Sequence, residues 1–148
     1  MQDQNIPSTF FQLTTAQDML EKAKRELRRL EADTDIDNVY NFYVTAYHIQ
    51  DYVRIGNPSR IPELEKFLSQ QDLVDCRNIC NKGKHLILTR HPDPKTIVYD
   101  HALSGNTPMG SMELSGGDEW ILITAENRHI DVINLARIII KRWENFLI

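Results

Sequence analysis

Apolar residues at helical spacing fill the first part of the chain. Between residues 15 and 32 they recur at steps of three and four, and Thr14 or Thr15 with Asp18 supplies the polar start of a helix. The charged residues of this helix are interpreted as a solvated face laced with i,i+4 pairs, rather than as an RNA-binding surface. A second helix is predicted over 38–55, where apolar side chains cover most of the surface, as is typical of a central helix.

Two further helices are predicted before the pattern changes. A short helix covers 61–70, with Pro62 in its first turn. A longer helix covers 72–85 and ends before Pro92 and Pro94, because two prolines so close together cannot continue a helix. The short connections between these helices favour antiparallel neighbours.

The chain then changes to β-type patterning. Residues 95–101 and 120–124 are rich in β-branched and aromatic side chains, which predicts strands, and 111–114 is a shorter candidate strand between turn-rich segments. Asp131 is predicted to cap a final amphipathic helix that continues through Phe146.

These elements predict a single, mainly α domain over residues 1–148. The expected architecture is an up-and-down bundle of about four main helices, with a small antiparallel β-hairpin or meander inserted before the last helix. Residues 1–9 form a loose lead-in, 10–94 the helical part, 95–130 the β-element and 131–148 the final helix.

Composition is that of a soluble globular protein, with 41% hydrophobic and 26% charged residues among 148. No apolar run approaches the roughly 20 residues that cross a bilayer, so no membrane association is expected. The first residues lack the basic and apolar regions of a signal peptide, which predicts a cytoplasmic protein.

The net charge of −4 argues against a general nucleic-acid coat protein, which requires a basic surface. Charge is nevertheless uneven along the chain. Between Arg77 and Lys95 there are five Lys or Arg residues against the single acid Asp93, together with His85 and His91. Such a local basic patch can serve one anionic ligand on an acidic protein.

One face of the predicted 72–85 helix concentrates this positive charge. Its members, here called the cationic stripe, are Arg77, Asn78, Asn81, Lys84 and His85. An ordinary solvated face mixes charge signs, whereas this one holds cations, amides and an imidazole without a carboxylate. The combination favours contact with an anion.

A second polar line follows the otherwise apolar 38–55 helix. Its members, here called the histidine stripe, are Asn41, Thr45, His48 and Tyr52, and Asp51 lies beside His48. Polar groups on a largely buried helix must find hydrogen-bond partners, since an unpaired one costs several kcal/mol in an apolar setting. The predicted partner is the cationic stripe, across a shared cleft.

Such a cleft could bind or cleave a phosphodiester. An imidazole can take the proton of a ribose 2′-hydroxyl while Arg77 or Lys84 stabilises the charge that develops on phosphorus, so no metal or cofactor is expected. The alternative interpretation is a polar network that only fixes the register of the two helices. Metal binding through His48, Asp51 and His85 is a weaker alternative, because the spacing matches no ligand motif.

The two cysteines, Cys76 and Cys80, are interpreted as small buried thiols. Four residues apart on one helix, they are poorly placed for a disulfide, and no His or Cys set completes a zinc site. Their expected burial also argues against a catalytic nucleophile.

The motifs His48-x-x-Asp51 and Arg77-Asn78-x-x-Asn81-x-x-Lys84-His85 resemble a group of small uncharacterised bacterial proteins. More distantly, they resemble the HEPN superfamily of helical-bundle nucleases and nucleotide-binding domains. That resemblance covers about residues 10–90. It implies Arg77-Asn78 as an Arg-polar pair, His85 as a catalytic histidine, and a site shared across a homodimer.

Three hypotheses remain open at this point. The first is a HEPN-like, RNA-directed protein, in its sharpest form a metal-independent ribonuclease of a defence or toxin-type system. The second is a non-catalytic binding or regulatory module for a nucleotide or other small anion, and the third is a structural protein with a polar helix–helix seam. The catalytic candidates are His85, Arg77 and His48, and the binding candidates are Asn78, Asn81, Lys84, Asp51, Tyr52 and Asn41.

Overall fold

The structure of the protein is a computed structural model that describes residues 9–99 and 118–148. In these ranges it contains five α-helices and a three-stranded antiparallel sheet, which confirms the predicted class of a mainly α chain with a small β-element. The elements are α1 Ala16–Ala32, α2 Ile36–Gly56, α3 Ile61–Leu68, α4 Gln71–His85, β1 Lys95–Tyr99, β2 Glu119–Ile123, β3 His129–Asp131 and α5 Val132–Phe146. The candidate strand at 111–114 lies outside the described residues. No helix in the described ranges is both long and apolar enough to cross a bilayer.

Side-chain caps define where three of the helices begin. Thr15 accepts a hydrogen bond from the backbone N–H of Asp18, whose carboxylate accepts one from the backbone N–H of Thr15 in return, so α1 opens with a capping box. Asp131 caps α5 as predicted. Helix α2 begins two residues earlier than predicted, because Asp35 accepts from the N–H of Asn38 at 2.8 Å and so fixes the first turn.

Helix α2 lies at the centre of the molecule and contacts α1, α4 and α5. This agrees with its apolar residues covering most of its surface. Phe42 and Ile49 are fully buried, and Tyr43 places its hydroxyl against the carbonyl of Val132, to which it donates a hydrogen bond. Burial raises the pKa of Tyr43 well above its ordinary value, so the phenol stays protonated and remains a donor.

The sheet has the order β1-β2-β3, and each neighbouring pair is antiparallel. Its central strand carries the packing, because Leu122 is fully buried and β2 contacts α5. The turn between β2 and β3 is tight. Asn127 adopts a positive φ of 63°, and the backbone N–H of Arg128 donates to the Thr124 hydroxyl at 3.0 Å.

That turn is joined to the helices by an ion pair whose carboxylate is buried and whose guanidinium is partly exposed. Arg128 donates two hydrogen bonds to the carboxylate of Asp75 on α4, at 2.8 and 3.2 Å, and Gln71 donates a third at 3.0 Å. Asp75 is only 3% exposed. A buried carboxylate persists in a folded protein when it is paired and hydrogen-bonded in this way. The pair therefore fixes the sheet against α4.

We expect Asp75→Asn to lower the free energy of unfolding by about 2 kcal/mol, because it leaves Arg128 without its counter-ion and disturbs a buried network. The matched control is Asp72→Asn, since Asp72 also lies on α4 and also pairs with an arginine, Arg142, but in a more exposed position. Its cost should stay below about 1 kcal/mol. Urea unfolding of both variants measures the difference, and equal losses would contradict the proposed role of the buried pair.

Candidate functional site

The two predicted polar stripes meet at one point. The ammonium of Lys84 on α4 lies 3.4 Å from Nε2 of His48 on α2, while Nδ1 of His48 lies 2.7 Å from the carbonyl oxygen of Val44. A carbonyl can only accept, so the hydrogen-bond pattern assigns the proton to Nδ1. Nε2 then keeps its lone pair, which faces the lysine. His48 therefore contacts one member of the cationic stripe, Lys84.

The rest of the histidine stripe does not share this partner. Thr45 accepts a hydrogen bond from Lys22 of α1 at 3.0 Å, so the expectation that it pairs with α4 is wrong. Thr45 lies three residues before His48, which places its side chain about 60° away around the helix, on the side that faces α1. Tyr52 lines a depression beside Thr15 and Asn57 at the C-terminal end of α2. The side chains of Asn41 and Asp51 are exposed to solvent.

The same lysine corrects the interpretation of α1 as an ordinary solvated helix. Lys22 also contacts the carboxylate of Glu26 at 3.0 Å, and Arg29 contacts the same oxygen at 3.0 Å. Glu26 is only 7% exposed, so this part of the charged face is packed against α2. Sequence spacing identified the i,i+4 pair, but not its burial.

Arg77 lies apart from the histidines. Its guanidinium donates to the side-chain oxygen of the adjacent Asn78 at 3.1 and 3.2 Å. It lines a depression of about 420 Å³ together with Tyr47, Arg54 and Glu65. His85 follows eight residues later on the same helix, which corresponds to a rise of about 12 Å.

His85 lines a separate depression of about 590 Å³ at the C-terminal end of α4, here called the His85 depression. Asn81, Arg90 and His91 contribute polar side chains, and no carboxylate is among the described residues that line it. Arg90 and His91 follow the helix in sequence and were not among the predicted site residues. Their position depends on the path of the backbone after α4.

A strained turn sets that path. Leu86 has φ 65° and ψ −44°, and the N–H of Ile87 donates to the carbonyl of His85 at 2.7 Å, which closes a three-residue γ-turn. A positive φ is unfavourable for leucine, and neither glycine nor asparagine marks the position in sequence. The turn reverses the chain directly after His85, so the following residues come alongside the end of α4.

Asp93 holds the returning segment in place. Its carboxylate accepts from the Lys82 ammonium at 3.0 and 3.1 Å and from the backbone N–H of Leu88 at 3.1 Å. The hydrogen bond from Lys82 lowers the pKa of Asp93 below its ordinary value. The positive charge of Lys82 is thereby compensated by a carboxylate, whereas Lys84 has no acidic partner in the described part of the chain.

No group of three or more His, Cys, Asp or Glu side chains among the described residues is arranged to hold a metal ion. Cys76 and Cys80 are buried free thiols, as predicted. Burial raises the pKa of Cys80 to about 11 and raises that of Cys76 further.

Comparisons of the chain with protein-family models, with curated proteins and with solved structures find no significant match. The resemblance to HEPN proteins therefore stays a prediction, which depends on the motifs in this sequence alone.

We expect both thiols to resist a disulfide reagent such as DTNB in the folded protein. At pH 8 a thiol with a pKa of about 11 is ionised to roughly one part in a thousand, and burial further blocks its approach. Absorbance should rise only when urea unfolds the chain. The control is Ala32→Cys at an exposed position, which should react at once, and fast labelling of either native cysteine would contradict the burial described here.

Proposed function

We propose that the protein binds RNA through the cationic end of α4, formed by Asn81, Lys84, His85, Arg90 and His91. The observation that carries this proposal is the His85 depression, whose described lining contains an arginine and two histidines but no carboxylate. Groups of this kind donate charge-assisted hydrogen bonds to phosphate oxygens. A cleft lined by one sign of charge also concentrates an anionic ligand despite an overall charge of −4.

The ionic contacts of Lys82 and Lys84 also support this surface as the site of RNA binding. Lys82 is neutralised by Asp93, and that pair fixes the segment behind the depression. Lys84 points its ammonium at the Nε2 atom of His48 and not at a carboxylate of the described residues, so its positive charge is available to a ligand. RNA is favoured over a single small anion because Arg77 provides a further cation about 12 Å along the helix, beyond the reach of one phosphate. A nucleotide or other small anion bound at the His85 depression alone is the alternative.

A metal-independent ribonuclease is the second candidate function, as the HEPN resemblance implies. In this reaction Nε2 of His48 would accept the 2′-hydroxyl proton, His85 would protonate the leaving oxygen, and Lys84, which contacts His48, would stabilise the phosphorane. Arg77, about 12 Å from His85 along α4, would contact a neighbouring phosphate. The observation that favours it is the orientation of His48, whose Nδ1 is engaged by the Val44 carbonyl, so that Nε2 is the nitrogen placed to accept a proton. Asn78, Asn41, Asp51 and Tyr52 are assigned to contacts with flanking nucleotides.

We also infer the arrangement of the helices, the location of the protein and its oligomeric state. Helices α1, α2, α4 and α5 are proposed to form an up-and-down bundle with the β-element inserted before α5, which is supported by the contacts of α2 with the other three. A cytoplasmic location and a homodimer that shares the site complete the proposal.

The binding proposal predicts that Lys84→Gln and Arg90→Gln weaken binding to a fluorescein-labelled single-stranded oligoribonucleotide, measured by fluorescence anisotropy. Each variant should also reduce the slope of log K against log salt by about 0.7, the value for one lost phosphate contact on a single strand. Lys141→Gln is the matched control, because it removes the same charge from an exposed position on α5. Equal affinities for all four proteins would reject the assigned surface.

The ribonuclease proposal predicts cleavage of the same RNA in the presence of EDTA. His85→Ala and His48→Ala should each slow it by 100-fold or more, within the range of about 10²–10⁴ for general acid–base groups. Gel analysis of the products measures the rate. RNA that is bound but stays intact would remove the catalytic assignment and leave the binding assignment standing.

A further inference from the structure

The contact between Lys84 and His48 places an amine beside a base. The ammonium of Lys84 lies 3.4 Å from Nε2 of His48, and the carbonyl oxygen of Val44, 2.7 Å from Nδ1, assigns the ring proton to Nδ1. The ring of Tyr47 packs edge-on against the imidazole, with 5.1 Å between the centroids, which supports this orientation. Nε2 is therefore the nitrogen placed to take a proton from the lysine.

The other described lysines with an ionic partner differ from Lys84 in what their ammonium groups contact. Lys22, Lys24 and Lys82 each lie 3.0 Å from a carboxylate oxygen, which belongs to Glu26, Glu21 and Asp93 in that order. A carboxylate stabilises the protonated form, and an ammonium has no lone pair with which to attack a carbonyl carbon. An imidazole nitrogen in the same position activates a lysine as a nucleophile, because it removes the proton that occupies the lone pair.

The surface beside Lys84 favours an acyl donor that carries a phosphate. Asn81, three residues before Lys84 on α4, lines the His85 depression together with His85 and Arg90, and no carboxylate is among the described lining residues. These side chains can donate hydrogen bonds to phosphate oxygens. Lys84 is itself exposed, so a small molecule whose phosphate lies at the rim of the depression can present its acyl carbon to the amine. Acyl phosphates combine the two groups in one molecule.

We propose that Lys84 is a site of acylation by small acyl phosphates and that His48 acts as the base. Nε2 of His48 takes one proton from the ammonium, and the resulting amine attacks the acyl carbon. The bond between this carbon and the phosphate oxygen breaks as the amide bond forms, and the phosphate leaves with the second proton as hydrogen phosphate. The imidazolium then releases its proton to water.

Acylation removes the positive charge of Lys84. The acylated protein should therefore bind RNA more weakly, and this regulatory consequence rests on the RNA binding proposed above. The modification itself depends only on the two side chains and the neighbouring depression. Acylation and RNA binding are measured separately, so the failure of one is distinguishable from the failure of the other.

Competition among the lysines of one sample tests the site. The full-length protein is incubated with acetyl phosphate at pH 8, and peptide mapping by mass spectrometry gives the acetylation rate of each lysine. We expect Lys84 to react about tenfold faster than Lys141, which is also exposed but lies on α5; this is a modest part of what a positioned general base contributes. Equal rates at Lys84 and Lys141 would overturn the site.

The neutral acyl donor N-acetoxysuccinimide separates the base from the depression, because it carries no phosphate. With this donor the ratio of the Lys84 rate to the Lys141 rate should stay above one in the wild-type protein and fall to about one in His48→Gln. His48 is partly exposed, so the variant is expected to fold, but an amide cannot take the proton. An unchanged ratio in His48→Gln would overturn the role of the base. An equal wild-type ratio for both donors would overturn the role of the depression.

Fluorescence anisotropy with the labelled oligoribonucleotide tests the regulatory consequence. Treatment with acetyl phosphate should weaken RNA binding by the wild-type protein, and Lys84→Arg is the control, because arginine keeps the charge and is not acylated. Treated and untreated samples of each protein are compared. Equal weakening in both proteins would assign the effect to other lysines and overturn the regulation. A protein that binds no RNA before treatment would reject the proposed function, and the regulation with it, and leave the acylation site in place.

Discussion

The ion pair between the buried carboxylate of Asp75 and the partly exposed guanidinium of Arg128 is the contact that ties the helical part to the sheet. It joins α4 to the β2–β3 turn and so determines how the sheet lies against the helices. Trp120 belongs to the strand that enters this turn, and together with Ile79 and Cys80 of α4 it lines an apolar cavity of about 260 Å³. The cationic residues continue along α4 beyond Asp75. The Asp75 carboxylate thus orients α4, a helix that contributes both to the cationic surface and to the apolar cavity.

Helix α4 keeps these two environments apart by its own geometry. Lys84 and His85 lie on the exposed side, while Ile79 and Cys80 are buried and line the apolar cavity beside Trp120. At 100° per residue the mean directions of the two sets differ by about 140°, although Cys80 and Lys84 are neighbours at i,i+4. Gly83 fits this arrangement, because its missing side chain lets the Tyr40 ring close the cavity directly against the helix backbone.

Local signals in the sequence were sufficient for the helices, but not for the contacts between them. Thr15 and Asp131 act on backbone groups within three residues, so capping preferences identified both helix starts. Asp75 and Arg128 are 53 residues apart, and no periodicity relates them. The two stripes were recognised from spacing, yet spacing cannot tell which neighbouring helix a given side chain meets. The positive φ of Leu86 has no residue signature at all, and for that reason the residues behind it were missed.

The carboxylate of Asp93 makes the loop behind α4 insensitive to mild acid. Its pKa lies below the ordinary value of 3.8, so its stabilising contribution is present above that value and is lost only as the pH falls through the lower folded value. At pH 5 Asp93 therefore stays ionised and keeps its contacts with the Lys82 ammonium and the backbone N–H of Leu88. Mild acid leaves this link between α4 and the segment that follows it in place.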